Sequence, residues 1–184
     1  IYDDGRLVLA PQNGSSGTIG DYDFAWTDYA SSITSIFVED GVSSGSNLQR
    51  AFRALDNLTS ADLSNLDVSN AGNMDYLFDG CSDLASLEGI SDWNVSSVTN
   101  MGYMFMGCSS LTSLDLSGWN VSGVRTMASM FEDCSMLADL NISGWNTSNL
   151  NNASGMFRNC SSLTELDLSG WDTTCMENLF GMFM

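Results

Sequence analysis

A 26-residue unit recurs along most of this chain, and no other feature restricts the fold so severely. In-phase copies occupy residues 48–73, 74–100, 101–126, 127–152 and 153–178, and a sixth begins at Leu179 and stops at Met184. The copy at 101–126 reads MGYMFMGCSSLTSLDLSGWNVSGVRT, and the copy at 74–100 carries one extra residue. Phe52, Phe78, Phe105, Phe131, Phe157 and Phe183 all hold one place in the unit. A unit this short cannot bury its apolar face alone, so successive copies stack into a solenoid. Such a fold offers a long surface rather than a deep pocket, which favours binding over catalysis.

Within 95–120, Val98, Met101, Met104, Phe105 and Cys108 recur with the spacing of one helix face. Ser96 stands where an N-cap is expected, as do Ser69, Ser122, Ser148 and Thr174 in the other copies. Gly107 lies near the end of the periodic run, with Gly80, Asp133 and Asn159 as its equivalents. Next, Leu111, Leu114 and Leu116 carry the L-x-x-L-x-L spacing of leucine-rich repeats. Leu114 and Leu116 alternate with Ser113, Asp115 and Ser117, the period of a half-buried strand. The expected fold is therefore α/β: a right-handed leucine-rich-repeat solenoid, with a parallel strand sheet on one side and short helices on the other. Its span is 46–184, with five repeats of 26–27 residues and the start of a sixth. The extra residue in the second copy predicts a bulge at Glu88–Asp92 that re-aims Trp93.

Residues 1–45 do not share the repeat and read as a β-rich N-terminal cap. RLVLA (6–10) and ITSIFVEDGV (33–42) have strand composition, and the Gly/Ser/Asn-rich stretch 12–21 between them reads as a loop. Phe24, Trp26 and Tyr29 are placed to cover the first repeat. The chain begins at Ile1 and breaks off inside a repeat, as expected of a piece of a longer protein.

Composition removes whole chemistries. The chain has 23 acidic and 5 basic residues, a net charge of −18, no His and no Lys. Imidazole bases, His metal ligands and Schiff-base lysines are therefore absent, and no enzyme activity is expected. Nucleic acid and anionic membranes are repelled; the acidity reads either as attraction for cations and basic partners or as solubility alone. No apolar run approaches the length of a membrane span, so membrane insertion of this segment is not expected.

The repeat phrase M-x-x-M-F-x-x-C-S-S-L-x-x-L-D-L-S-G-W, most complete at 101–122, 127–148 and 153–174, resembles the BspA-like leucine-rich repeats of bacterial surface proteins. The lead-in, with DDGRLVL, FAWTDY and ITSIFVEDGV, is similar too, so the resemblance spans nearly the whole chain. It implies a bacterial cell-surface or secreted protein. Characterised members of that family are associated with adhesion to host matrix proteins, mucosal surfaces or other bacteria. The family has no common catalytic residues to carry over.

Several columns are candidates for binding. Asp62, Glu88, Asp115, Asn141 and Asp167 form one outward strand column; Ser60, Ser86, Ser113, Asp139 and Glu165 form its neighbour. They read either as an acidic stripe for a basic partner or divalent cations, or as a solvated polar face. No D-x-D-x-D-G calcium loop occurs, and no metal or cofactor is assigned. Trp93, Trp119, Trp145 and Trp171 read either as an aromatic rim for glycan or protein, or as core between strand edge and helix start. The adjoining Asp67, Asn94, Asn120, Asn146 and Asp172 read as turn-closing residues. Cys81, Cys108, Cys134 and Cys160 read as reduced, buried thiols, because packed helices would hold them too far apart for disulfides. Cys175 lies off the column and is expected to be exposed.

Three functions follow as expectations: a protein-binding adhesin using the acidic strand face, a carbohydrate-binding module using the Trp column, and a structural spacer or filament unit. The partner would be an extracellular protein (matrix, mucosal or bacterial) or a glycan. The apolar opening of the sixth repeat adds end-to-end self-association.

Overall fold

The structure, a computed structural model, describes residues 2–11, 16–19 and 26–184. It is a solenoid of parallel strands and stacked turns. Strands β1 (Arg6–Leu9), β2 (Gly17–Ile19), β3 (Ser35–Val38), β4 (Val42–Ser44), β5 (Ser60–Asp62), β6 (Leu66–Asp67), β7 (Ser86–Glu88), β8 (Ser113–Asp115) and β9 (Asp139–Asn141) follow in chain order. The order β1-β3-β5-β7 makes one parallel sheet, β2-β4-β6 a second, and β8-β9 a two-stranded third. Pairing of Leu7 with Ile36, Ile36 with Ala61, and Ala61 with Leu87 runs across the 45/46 boundary without interruption. Part of the stretch expected as a loop at 12–21 is strand β2; residues 12–15 and 20–25, including Phe24, lie outside the described residues. Trp26 does cover the first repeat, stacking on Phe52 at 5.8 Å and donating its indole N–H to the Ala51 carbonyl at 2.7 Å.

The short helices do not form. Among the described residues the only helical turns are 3₁₀ segments at Thr27–Ser32 and Ile90–Asp92. The helix-like runs are instead chains of tight turns. Even-numbered places in each unit bond back by three residues: Leu77 N–H to Met74 O, Asp79 N–H to Tyr76 O, and Cys81 N–H to Phe78 O. Odd-numbered places bond to the next coil: Tyr76 N–H to Gly102 O, Phe78 N–H to Met104 O, and Gly80 N–H to Met106 O. Two left-handed residues per unit turn these amides outward. One column is Arg50, Tyr76, Tyr103, Ser129, Gly155 and Gly181; the other is Ala54, Gly80, Gly107, Asp133 and Asn159; all have positive φ. The Gly/Asp/Asn content of the second column, which reads as an uneven helix stop, is the composition a left-handed position selects.

The core is the set of inward columns, fully buried at Phe52, Phe78, Phe105 and Phe131. Neighbouring Phe rings stack at 5.4–5.8 Å from Phe52 through Phe183. A side-chain ladder closes a third edge. Asn73, Asn100 and Asn152 each accept the backbone N–H two residues on at 2.9–3.0 Å, and their backbones bridge coil to coil.

The column thiols are buried and unpaired with one another. The spacing expected from packed helices does not apply, because the coils are hydrogen-bonded directly. Each S–H instead donates to a Phe carbonyl of the preceding coil: Cys81 to Phe52, Cys108 to Phe78, Cys134 to Phe105, and Cys160 to Phe131, at 3.0–3.3 Å. Burial pushes Cys81 up to about 12 and Cys160 up to about 11, and raises Cys108 and Cys134 as well. A raised folded-state thiol pKa favours the neutral form. The resulting stability is fully present below the ordinary thiol value and is lost as pH rises through the folded values. Stability should therefore fall between roughly pH 9 and 12, as read by urea midpoints. At pH 8 a thiol reagent should label Cys175, which is exposed, and reach the other four only on unfolding. Equal native labelling of all five would contradict this packing.

Candidate binding face

The outward strand columns come together as the sequence implies, but over a shorter span. Ser60 pairs with Ser86 and Asp62 with Glu88; Ser113 pairs with Asp139 and Asp115 with Asn141. Glu88, Asp115 and Asp139 are exposed, and Asp62 and Asn141 half-buried. Glu165 and Asp167 are exposed on a segment that joins no strand. Toward the N-terminus the columns lose their acidity: Asp62 pairs with Phe37, which pairs with Val8, and Ser60 leads through Ser35 to Arg6. Phe37 is 38% exposed, so the strand face is apolar at one end and acidic along the rest. Sequence reading missed that extension because residues 1–45 lack the repeat phrase.

The acidic column also shapes the backbone. Asp62, Asp115, Asn141 and Asp167 each accept the N–H of the serine two residues on, at 2.9–3.2 Å. This side-chain turn ends the strand. Donation by Ser117 and Ser169 holds Asp115 and Asp167 below the usual carboxylate range, so both stay charged in mild acid. A second set does the same at the next corner: Asp67, Asn94, Asn120, Asn146 and Asp172 accept from Ser69, Ser96, Ser122, Ser148 and Thr174. Those serines and the threonine complete turns rather than capping helices.

The Trp column forms no rim. Trp93, Trp119 and Trp145 are buried and Trp171 half-buried, in a stack spaced 6.4–6.5 Å. Trp119 and Trp145 donate to the carbonyls of Ile90 and Leu116 at 2.7 and 2.9 Å. A glycan-stacking role needs open ring faces, and these rings cover one another. The cause is the stacking itself: identical places in consecutive coils lie face to face.

The extra residue enters as Gly89, left-handed at φ 84°, followed by the 3₁₀ turn. Trp93 is not re-aimed, since its ring lies 9° from that of Trp119. The sheet breaks just beside Gly89. Thr59 O receives the amides of Ala85 and Ser86, and Thr112 O those of Ala138 and Asp139. No corresponding bond joins Ala85 to Thr112 or Ser113, and β7 and β8 do not pair. A groove of about 420 Å³ opens between them, lined by Gly89, Ser91, Ser113, Asp115, Asp139 and Asn141 among others. Among the described residues no three His, Cys, Asp or Glu side chains gather as a metal site, and no helix is long and apolar enough to cross a membrane.

A protein-family model described as "Mycoplasma protein of unknown function, DUF285" matches residues 46–141 and again 138–184. The chain belongs to this family. The two DUF285 matches cover the repeated region that builds the sheet break and the acidic columns. A solved leucine-rich repeat protein from Eubacterium ventriosum is similar over 99% of this chain and 90% of its own, at 12% identity and a TM-score of 0.29. No curated protein matches the chain. The fold of this DUF285 member accordingly rests on its own strand and turn ladders.

Proposed function

We propose that this protein is a bacterial surface or secreted binding module whose acidic strand face captures a basic segment of an extracellular protein. One observation carries the reading: among the described residues the carboxylates from Asp62 to Asp167 on that face form no ion pair. The two described ion pairs, Arg53–Asp79 and Arg158–Glu132, join residues of the turn runs instead. Strand-face columns from Ser60 to Asp167 contain no Arg. Asp62 and Glu88 pair directly across the sheet, and like charges about 4.8 Å apart are relieved by an opposite charge. The resemblance of the repeat phrase to BspA-like surface proteins supports the same role and location.

The test is capture of matrix and mucosal proteins at low and high salt. Affinity for a basic partner should fall at least about tenfold as exposed charges are screened. The pair Asp62→Asn and Asp167→Asn should weaken capture in the same direction, since Asn keeps the turn and removes the charge. Capture indifferent to salt and to these substitutions would overturn the acidic-face reading. Absence of any partner would favour a structural spacer.

A further inference from the structure

The groove between β7 and β8 interrupts the ladder of the strand face. Within β1-β3-β5-β7 and within β8-β9 neighbouring strands pair. Here two edges face each other unpaired across a cavity of about 420 Å³. The opening is local. On one side Ser110 N–H still donates to Ser82 O, and on the other the Trp119 indole still reaches Ile90 O. The gap is therefore bounded at both ends and cannot admit a whole added strand. Its volume sits at the small end of ligand pockets.

The lining supplies acceptors and no cation. Asp115 and Asp139 bring carboxylates, Asn141 and Ser113 bring neutral oxygens, and Leu87 and Leu114 line an apolar flank. A lysine ammonium offers a compact point charge. A guanidinium offers five N–H donors in a plane, which suits several oxygens around one slot, and a long stem that packs on apolar side chains. We propose that this groove is a socket for a single arginine side chain of the protein partner. The inference rests on the strand-face reading above and specifies its anchoring point. The extra residue of the second repeat stands in the socket wall as Gly89, packed so closely on Ser64 that an added Cβ would lie 2.3 Å from its Cα.

The experiment is an amide-shift NMR titration of the whole chain with acetyl-Gly-Arg-Gly-amide. Two comparison peptides carry citrulline or lysine in place of arginine. The arginine peptide should shift the amides of 89–91, 113–115 and 139–141, and the neutral citrulline peptide should not. Asp115→Asn with Asp139→Asn should weaken binding at least about tenfold. Ser113→Phe, which fills the groove without altering charge, should abolish it, while Asp62→Asn with Asp167→Asn should leave it intact. The socket is wrong if shifts spread evenly along the acidic face, if citrulline binds equally, if lysine binds more tightly than arginine, or if Ser113→Phe changes nothing. Loss of protein capture in the Asp62/Asp167 pair but not in Ser113→Phe would retain the face and discard the socket. Peptide binding in the groove with no basic protein captured would do the reverse.

Discussion

Replacing Phe105 with Ala should lower the unfolding free energy by about 3–5 kcal/mol, read from urea transitions. Phe105 is fully buried, with Phe78 at 5.7 Å on one side and Phe131 at 5.6 Å on the other. The surrounding coils are tied to each other through backbone bonds such as Phe105 N–H to Met130 O, so they cannot collapse into the void. Each aromatic stack adds about 0.5–1.5 kcal/mol beyond burial, which pushes the loss toward the upper end. Because each coil touches only its neighbours, a weak coil in the middle uncouples the array. The transition should broaden or split for that reason. The same substitution at Phe183, 64% exposed, should cost about 0.5 kcal/mol or less. A loss below about 1 kcal/mol at Phe105 would mean that the Phe ladder is not what joins the coils.

Gly89→Ala should cost about 2–5 kcal/mol, the sum of two effects that a second glycine separates. A left-handed alanine costs about 1–2 kcal/mol through its own Cβ. At Gly89, whose φ is 84°, that Cβ would also stand 2.3 Å from the Ser64 Cα, so backbone has to move; crowding of this kind costs about 1–3 kcal/mol. Gly144 has a similar φ of 80° but nothing within 4 Å of an added Cβ. Gly144→Ala should show the first effect alone. Equal losses at the two sites would show that the close approach of Gly89 to Ser64 is not a constraint. The groove makes a second readout, since a displaced 89–92 segment should alter arginine-peptide binding while Gly144→Ala leaves it unchanged.

Much of this molecule was legible in its residues. Strict recurrence of Phe, Cys, Leu and Trp determined that equivalent side chains stack, because a 26-residue unit has no other way to bury them. The alternation around Leu114 located strand β8, and the Asp/Asn before each Ser located turns that close as expected, at Asn120 with Ser122 for example. Positions that carry both the acidic columns and their geometry were visible for the same reason: a period of two puts Ser113 and Asp115 on one face.

Tertiary structure decided the rest, and one physical cause recurs. Inward residues at Met101, Met104, Phe105 and Cys108 satisfy a helix face and a chain of three-residue turns equally well. What separates the two is where the amides of Tyr103, Phe105 and Gly107 find acceptors. They find them on Ala128, Met130 and Glu132, one coil away, and no local pattern encodes a partner that distant. Burial of the Trp column follows from the same stacking, because a ring that is edge or rim in one repeat becomes core once an identical ring lies on it. The sheet break was hidden for the same reason: one additional residue in 74–100 reads as a bulge within a strand, whereas whether β7 pairs with β8 depends on the following coil.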